Sequence, residues 1–392
     1  MNAPRDGSLL ILLWVCGACL RLSVLAVPPV AALIQHDLDL SGTEVGLLSG
    51  IPVLVFAIVA SPGSMLVGRT GVRGALVVGL AVAALGALLR IGISNVWYLY
   101  ATNVLMNAGI AIMQPSMASA VREWLPRRAA FGTAIYTNGL IIGEIVPVAT
   151  MLSLVLPFFA GDWRAALGVW AIPLTVALVA VAVFAPRSSG AERTSGRRLS
   201  RWNSALNWRI GLTLGSITST YFCLNGFLPA LLISKGHPEI IGEALTALNA
   251  GQVPASFALL LFADRLQRRR WPFLALGASF CVSVIGIALS AGASNELWAG
   301  LAGFSCGAAL PLGLALAPLL CDDPRDVALT SAVAFAIGYG FAMIVSVIAG
   351  IAWDLVGSAS AALVPILLGC LPILVAPPAF AKPNSGKATQ GA

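Results

Sequence analysis

Apolar runs of about 20 to 30 residues alternate with short polar clusters along the chain. They cover approximately 8–33, 44–67, 74–93, 96–119, 130–159, 164–185, 206–233, 243–263, 272–291, 297–320, 326–352 and 358–380. Each run is near the roughly 20 residues that a helix needs to cross a bilayer. No stretch shows the period-two alternation of a membrane β-barrel strand. The pattern predicts an all-α integral membrane fold of twelve transmembrane helices, numbered helix 1 to helix 12 in chain order.

Several polar clusters echo one another at nearly one offset. "GRTGVR" (68–73) after helix 2 matches "ADRLQRR" (263–269) after helix 8, with Arg69 and Arg265 separated by 196 residues. "PRRAAFGTA" (126–134) matches "PRDVALTSA" (324–332) at an offset of 198, and "PVAALI" (29–34) resembles "PALLIS" (229–234) at 200. An offset close to half the chain predicts two pseudo-symmetric six-helix bundles, a design that puts a substrate site near the midplane between repeats. The expected division is 1–185, a cytoplasmic linker 186–205, 206–381, and a cytoplasmic tail 382–392. The linker region, rich in Ser, Gly and Arg, reads as a flexible or surface-lying connection. Its basic run is also of a kind that attracts anionic lipid headgroups.

Composition agrees with the pattern: 58% of the 392 residues are hydrophobic and 10% charged, against about 25% charged in soluble domains. The net charge of +7 records topology rather than a nucleic-acid partner. With the N-terminus in the cytoplasm, 19 of the 23 Lys and Arg fall on the cytoplasmic side, as the positive-inside rule requires of a multi-pass inner-membrane protein with both termini inside. The first apolar run is too long for a signal peptide and carries a central Arg, so it is expected to remain as helix 1. The seven cysteines lie in or beside apolar runs and suggest no disulfide framework; Cys16 and Cys19 read as small packing residues. His36 and His237, the only histidines, fall in outer loops. No nucleophile–base grouping, metal-spaced cluster or phosphate-binding glycine loop is present, so neither an enzyme nor a cofactor is expected.

Chemistry concentrates where a charge lies in the membrane, because an ionisable group there costs roughly 2.5–3.5 kcal/mol on insertion scales. Arg21 lies near the middle of helix 1, in "CGACLRLSVLAVPPV", and Glu144 near the middle of helix 5. Helical spacing aligns Trp14, Gly17, Arg21 and Pro28 on one stripe. A guanidinium stays charged and offers a planar fork of donors suited to a carboxylate or similar anion. Arg21 therefore reads as an anion anchor or as half of a structural ion pair. Glu144 has three readings: partner of Arg21, proton carrier, or a group satisfied by local helix contacts. Arg90 and Arg164 stand near helix ends and are expected to snorkel to the outer interface. Polar stripes run through helix 4 (Asn103, Asn107, Gln114) and helix 7 (Thr218, Tyr221, Asn225). Helix 8 adds Asn249 and Gln252, and helix 11 adds Tyr339. Gly303, Gly307, Pro311 and Pro318 share a face of helix 10, where they would allow either bending or close packing.

The twelve helices, the 6+6 division and the basic loops after helices 2 and 8 resemble the major facilitator superfamily. Of its loop pattern, Arg69, Gly71 and Arg73 fit in the first copy, where Gly68 replaces the Asp. In the second copy Asp264, Arg265, Arg268 and Arg269 fit. "GLLSGIPVLVFAIVASPG" (46–63), "GDWRAALGVWAIP" (161–173), "FLPALLISKG" (227–236), "GAALPLGLALAPLLCDDP" (307–324) and "SAVAFAIGYGFA" (331–342) resemble its cyanate permease and nitroimidazole-transport branch. The resemblance implies a monomeric secondary transporter working by alternating access, moving a small polar or anionic solute with or without coupling to protons. It implies helices 1, 4, 7 and 10 around the cavity, making Arg21, Tyr221, Asn225, Asn103 and Asn107 candidate substrate-binding residues, with Tyr339 of helix 11 added to them. Glu144 is then the candidate for proton coupling or ion pairing, and Arg69, Arg73, Asp264 and Arg265 belong to conformational gating loops. Efflux or exchange is the alternative mode, although helix 5 carries Glu144 and Pro147 in place of the drug-antiporter glycine signature. A non-transporting sensor on the same scaffold is a further alternative.

Overall fold

The computed structural model describes residues 3–186, 204–266, 269–290, 292–321 and 324–375. Every regular element among them is helical. Among the described residues, nine helices are long and apolar enough to cross a membrane, and they are helices 2 to 7 and 9 to 11. The other three crossings are interrupted. Helix 1 comprises Ala3–Cys19 and Val27–Asp37, helix 8 comprises Ile241–Ala250 and Gln252–Leu266, and helix 12 comprises Leu363–Cys370 and Pro372–Val375 after a short turn Ala359–Ala362. This is the twelve-helix membrane fold the apolar pattern predicts. Of the proposed linker 186–205, residues 187–203 lie outside the described residues, as does the whole of the proposed tail 382–392.

The interruption of helix 1 has a chemical cause. Pro28 and Pro29 carry no N–H, so the carbonyls of Val24 and Leu25 lose their helical donors. Upstream the bonding becomes mixed: Leu22 N–H reaches Ala18 O at 3.1 Å, whereas Val24 N–H and Leu25 N–H both reach Arg21 O at 3.0 Å. Helix 1 is therefore loosened around Arg21, and the continuous stripe from Trp14 to Pro28 is not realised. Trp14 instead turns to helix 5, where its Nε1–H donates to Asn138 Oδ1 at 2.9 Å.

Helices 2 and 3 run through Gly42–Leu89 with one break, at Gly71, whose φ of 73° and ψ of 174° suit a residue without a Cβ. The polar loop expected at 68–73 is thus compressed into a single turn. Helix 2 begins with a capping box, in which Ser41 Oγ accepts from Glu44 N–H and Glu44 accepts from Ser41 N–H.

Two close helix contacts set the interior. A Cβ at Gly139 or Gly143 of helix 5 would overlap the carbonyl oxygens of Trp14 and Ala18 in helix 1. A Cβ at Gly303 of helix 10 would overlap Leu248 O in helix 8, and one at Gly307 would come within 2.7 Å of Gln252 Cα. Small residues four apart let membrane helices meet backbone to backbone. Close packing is thus the service of the helix 10 glycines, and that helix breaks only at Ala315. Away from the interior, Ile172, Val176, Val179 and Val183 form an exposed stripe on helix 6, the face a lipid-bathed helix presents.

The two halves are joined at the end of the bundle opposite Ala3. There Asp354 of helix 11 accepts from Gly42 N–H at 2.5 Å, Thr43 N–H at 2.8 Å and Thr43 Oγ1–H at 2.5 Å. A carboxylate at that helix 2 N-terminus satisfies unpaired amides and complements the helix dipole. Nearby, Ser346 Oγ–H donates to Gly46 O at 2.8 Å.

Candidate functional site

Arg21 and Glu144 meet in the middle of the bundle, with Arg21 Nε 3.1 Å from Glu144 Oε1. The glycine contact between helices 1 and 5 brings them together, since Gly143 directly precedes the carboxylate. Both residues are buried, at 8% and 3% exposure. Gln252 of helix 8 donates its Nε2–H to Glu144 Oε2 at 2.7 Å, so the carboxylate bridges the two halves. The guanidinium lies near two rings, 5.7 Å from the centroid of Phe56 and 5.9 Å from that of Phe222, distances at which ring faces attract a cation. Its Nε–H is poorly aligned with Glu144 and its Nη1 group meets no acceptor. Arg21 thus holds donors that the protein leaves unused.

Tyr221 stands beside Glu144 and commits its hydroxyl to helix 8, donating to Asn249 Oδ1 at 2.7 Å. Asn249 Nδ2–H donates to Asn225 Oδ1 at 3.1 Å, and Asn225 Nδ2–H returns to Tyr221 O at 2.9 Å. These three side chains form a closed polar knot between helices 7 and 8. Tyr339 lies with its ring against Phe56 and Phe335, at centroid separations of 6.2 and 5.6 Å.

Asn103 and Asn107 belong to a different cluster, around Arg90. The expected snorkelling of Arg90 is overturned: the side chain is 0% exposed. Its Nη1–H donates to Ser23 O and its Nη2–H to Asn103 Oδ1, both at 2.9 Å. Asn107 Nδ2–H donates to the same Asn103 oxygen at 2.9 Å. The reason is the broken helix 1, where Val27 N–H turns to Val24 O at 3.4 Å and leaves the Ser23 carbonyl for another donor. Arg164 does stay at the periphery, 2.6 Å from Asp37 Oδ2 and over the Trp163 ring at 4.2 Å.

A cavity of about 40 Å3 lies between Asn103 and Asn225, with Val24, Pro28, Ser49 and Phe222 also in its lining and Arg21, Glu144 and Arg90 outside that lining. A water needs about 10–15 Å3, so the space suits something the size of a few waters. Among the described residues, the buried charged side chains are Arg21, Arg90 and Glu144, two cations against one anion.

The basic loops lie far from this centre. Arg73 donates to Ala182 O in helix 6, whereas Arg69 and Arg265 are exposed. The Asp264 side chain lies outside the described residues. Sequence reasoning named Gln252 only as part of a polar set and misplaced Arg90. The signal for Gln252 was its position one turn after Asn249, and for Arg90 a second unpaired cation in an apolar context.

The Major Facilitator Superfamily model matches residues 13–324. The cyanate transport protein CynX of Escherichia coli (strain K12) is 27% identical over 346 residues, covering 88% of each chain. The 2-nitroimidazole transporter of the same organism is 24% identical over 327 residues, covering 82% of this chain and 81% of that protein. Among solved structures, a bacterial homologue of the human lysosomal transporter Spinster, in an inward-facing and unoccupied conformation, superposes with a TM-score of 0.71 at 14% identity, covering 96% of this chain and 98% of that one. With twelve helices, a buried Arg21–Glu144 pair and a family match over most of its length, the chain belongs to the Major Facilitator Superfamily and is a membrane transporter of that type.

Proposed function

We propose that this transporter moves a small anion or polar solute across the inner membrane by alternating access, with Arg21 as the anchor for the solute's negative or electron-rich group. The observation that carries this reading is the charge balance of the interior: among the described residues two cations, Arg21 and Arg90, are buried with one carboxylate, Glu144, which pairs with Arg21. An isolated buried charge is costly unless paired, and a bound anion pairs Arg21 whenever Glu144 carries a proton. The unused Arg21 donors offer it hydrogen bonds. Cyanate and nitroheterocycles are the first solutes to test, given the relatives' names.

Glu144 is the exchangeable counter-charge in this scheme. A proton on its carboxylate releases Arg21 to the incoming anion, and departure of the anion restores the pair. Binding is thereby linked to protonation, and uptake is coupled to protons. Asp354 and Ser346 hold the halves together on the outer side, with the termini in the cytoplasm.

Uptake of radiolabelled cyanate into proteoliposomes, with and without an imposed pH gradient, tests the scheme. Arg21→Ala is expected to abolish uptake, and Glu144→Gln to remove its dependence on the gradient. Wild-type transport by Arg21→Ala would refute the anchor. A thermal-shift panel of small anions, weak acids and nitroheterocycles selects the cargo, since a ligand at 100 times its Kd stabilises the folded state by about 2.7 kcal/mol.

A further inference from the structure

We infer that Arg90 is a positioning residue: its guanidinium fork holds the loosened stretch of helix 1 and thereby sets where Arg21 meets the cargo. The stretch from Leu20 to Ala26 lacks regular helical bonding, so its own backbone does not define it. Besides the Arg21–Glu144 pair, two outside contacts define it, and both fall on one residue. Ser23, two positions after Arg21, gives its carbonyl to Arg90 at 2.9 Å, and its hydroxyl reaches Trp170 O in helix 6 at 3.4 Å. The second prong of Arg90 engages Asn103 Oδ1 at 2.9 Å, and Asn107 supports that oxygen from the next turn of helix 4 at 2.9 Å.

Arg90 therefore ties the irregular backbone to a regular helix through two divergent donors. No carboxylate lies within ion-pair distance of it among the described residues, so it is not kept for a salt bridge. Its remaining Nε–H has no acceptor. The fork is spent on a backbone carbonyl and an amide, both neutral, which is the arrangement of a geometric brace. A lysine brings the same charge as a compact ammonium and cannot span the two acceptors in the same plane. Asn103 also lines the 40 Å3 cavity, so the brace connects the cavity wall to the segment bearing Arg21.

The experiment combines hydrogen–deuterium exchange on the purified, reconstituted transporter with cyanate uptake kinetics. Arg90→Ala and Arg90→Lys are both expected to raise amide exchange at least tenfold over residues 20–26, with helix 7 (205–234) unchanged. They should also raise the KM for cyanate about tenfold while kcat stays within twofold. Unchanged exchange at 20–26, an equal rise throughout helix 7, or full restoration by lysine overturns the inference. Asn103→Ala keeps the cation and serves where the Arg90 variants do not fold; it too must raise exchange at 20–26, and its failure to do so overturns the inference. The kinetic arm rests on the proposed anion transport, whereas the exchange arm does not. Absence of cyanate uptake by the wild type therefore counts against the cargo and leaves the brace to be judged by exchange.

Discussion

Removing the charges of the Arg21–Glu144 pair one at a time and then together separates its structural role from its transport role. The two groups are 3.1 Å apart with side chains only 10% and 4% exposed. At an effective dielectric of about 20, the gross attraction at that distance is about 5 kcal/mol, much of it offset by desolvation. Arg21→Met leaves Glu144 buried with Gln252 as its hydrogen-bond donor, and Glu144→Leu leaves two buried cations with no buried anion. Each single change strands a charge and should cost about 3–5 kcal/mol. At about 2.1 cal/mol/K of unfolding entropy per residue, 4 kcal/mol lowers Tm of a chain this long by roughly 5 °C. The double variant strands only Arg90, replaces the pair with apolar volume, and should melt within about 2 °C of the wild type while transporting nothing. Thermal unfolding in detergent reads the three variants, and proteoliposome uptake reads the loss of function. Additive losses, with the double variant melting about 10 °C low, would refute the coupling of the two charges.

Three further outcomes follow from other parts of the structure. Gly143→Val puts a side chain into the Ala18 carbonyl and should cost about 1–3 kcal/mol by overpacking; an unchanged Tm would show that helices 1 and 5 do not depend on that contact. Asp354→Ala removes three hydrogen bonds that close the end opposite Ala3. Because Asp354 is exposed, a loss of about 1–2 kcal/mol is expected, or a fivefold to thirtyfold rise in the open fraction. An impermeant maleimide should then label Ser49→Cys, in a cysteine-free background, correspondingly faster, and an unchanged rate contradicts the latch. Lys235→Met removes the ammonium that donates to Ala288 O at 3.1 Å and Ser290 O at 2.7 Å, freeing the last carbonyls of helix 9 (Trp271–Leu289). Faster amide exchange confined to residues 285–290 is expected, about 1 kcal/mol of local stability; no change there would argue against the cap.

Much of the architecture was legible because a bilayer is an undemanding judge of sequence. Length and polarity alone set which runs cross, so all twelve crossings can be read from apolar pattern, including those that Pro28, Gly251 or Leu371 divide. Arg21 and Glu144 stood out for the same reason, as charges in a solvent that resists them. Their separation was not legible. It depends on Gly17, where a Cβ would overlap Tyr136 O, and on Gly139 and Gly143 bringing two backbones together, and a four-residue glycine spacing names no partner helix.

Arg90 marks the boundary most clearly. Its sequence position near a helix end predicts a side chain reaching for the interface, yet the structure turns it inward to Ser23 and Asn103. The proline pair that loosens helix 1 frees a carbonyl, and only the folded bundle places that carbonyl within reach of helix 3. Along the chain these groups are 67 residues apart. Apolar length and polarity along the chain set which segments enter the membrane and which charges must find partners there. Packing chose the partners, because close helix contact and a freed backbone carbonyl are properties of packed neighbours rather than of any one segment.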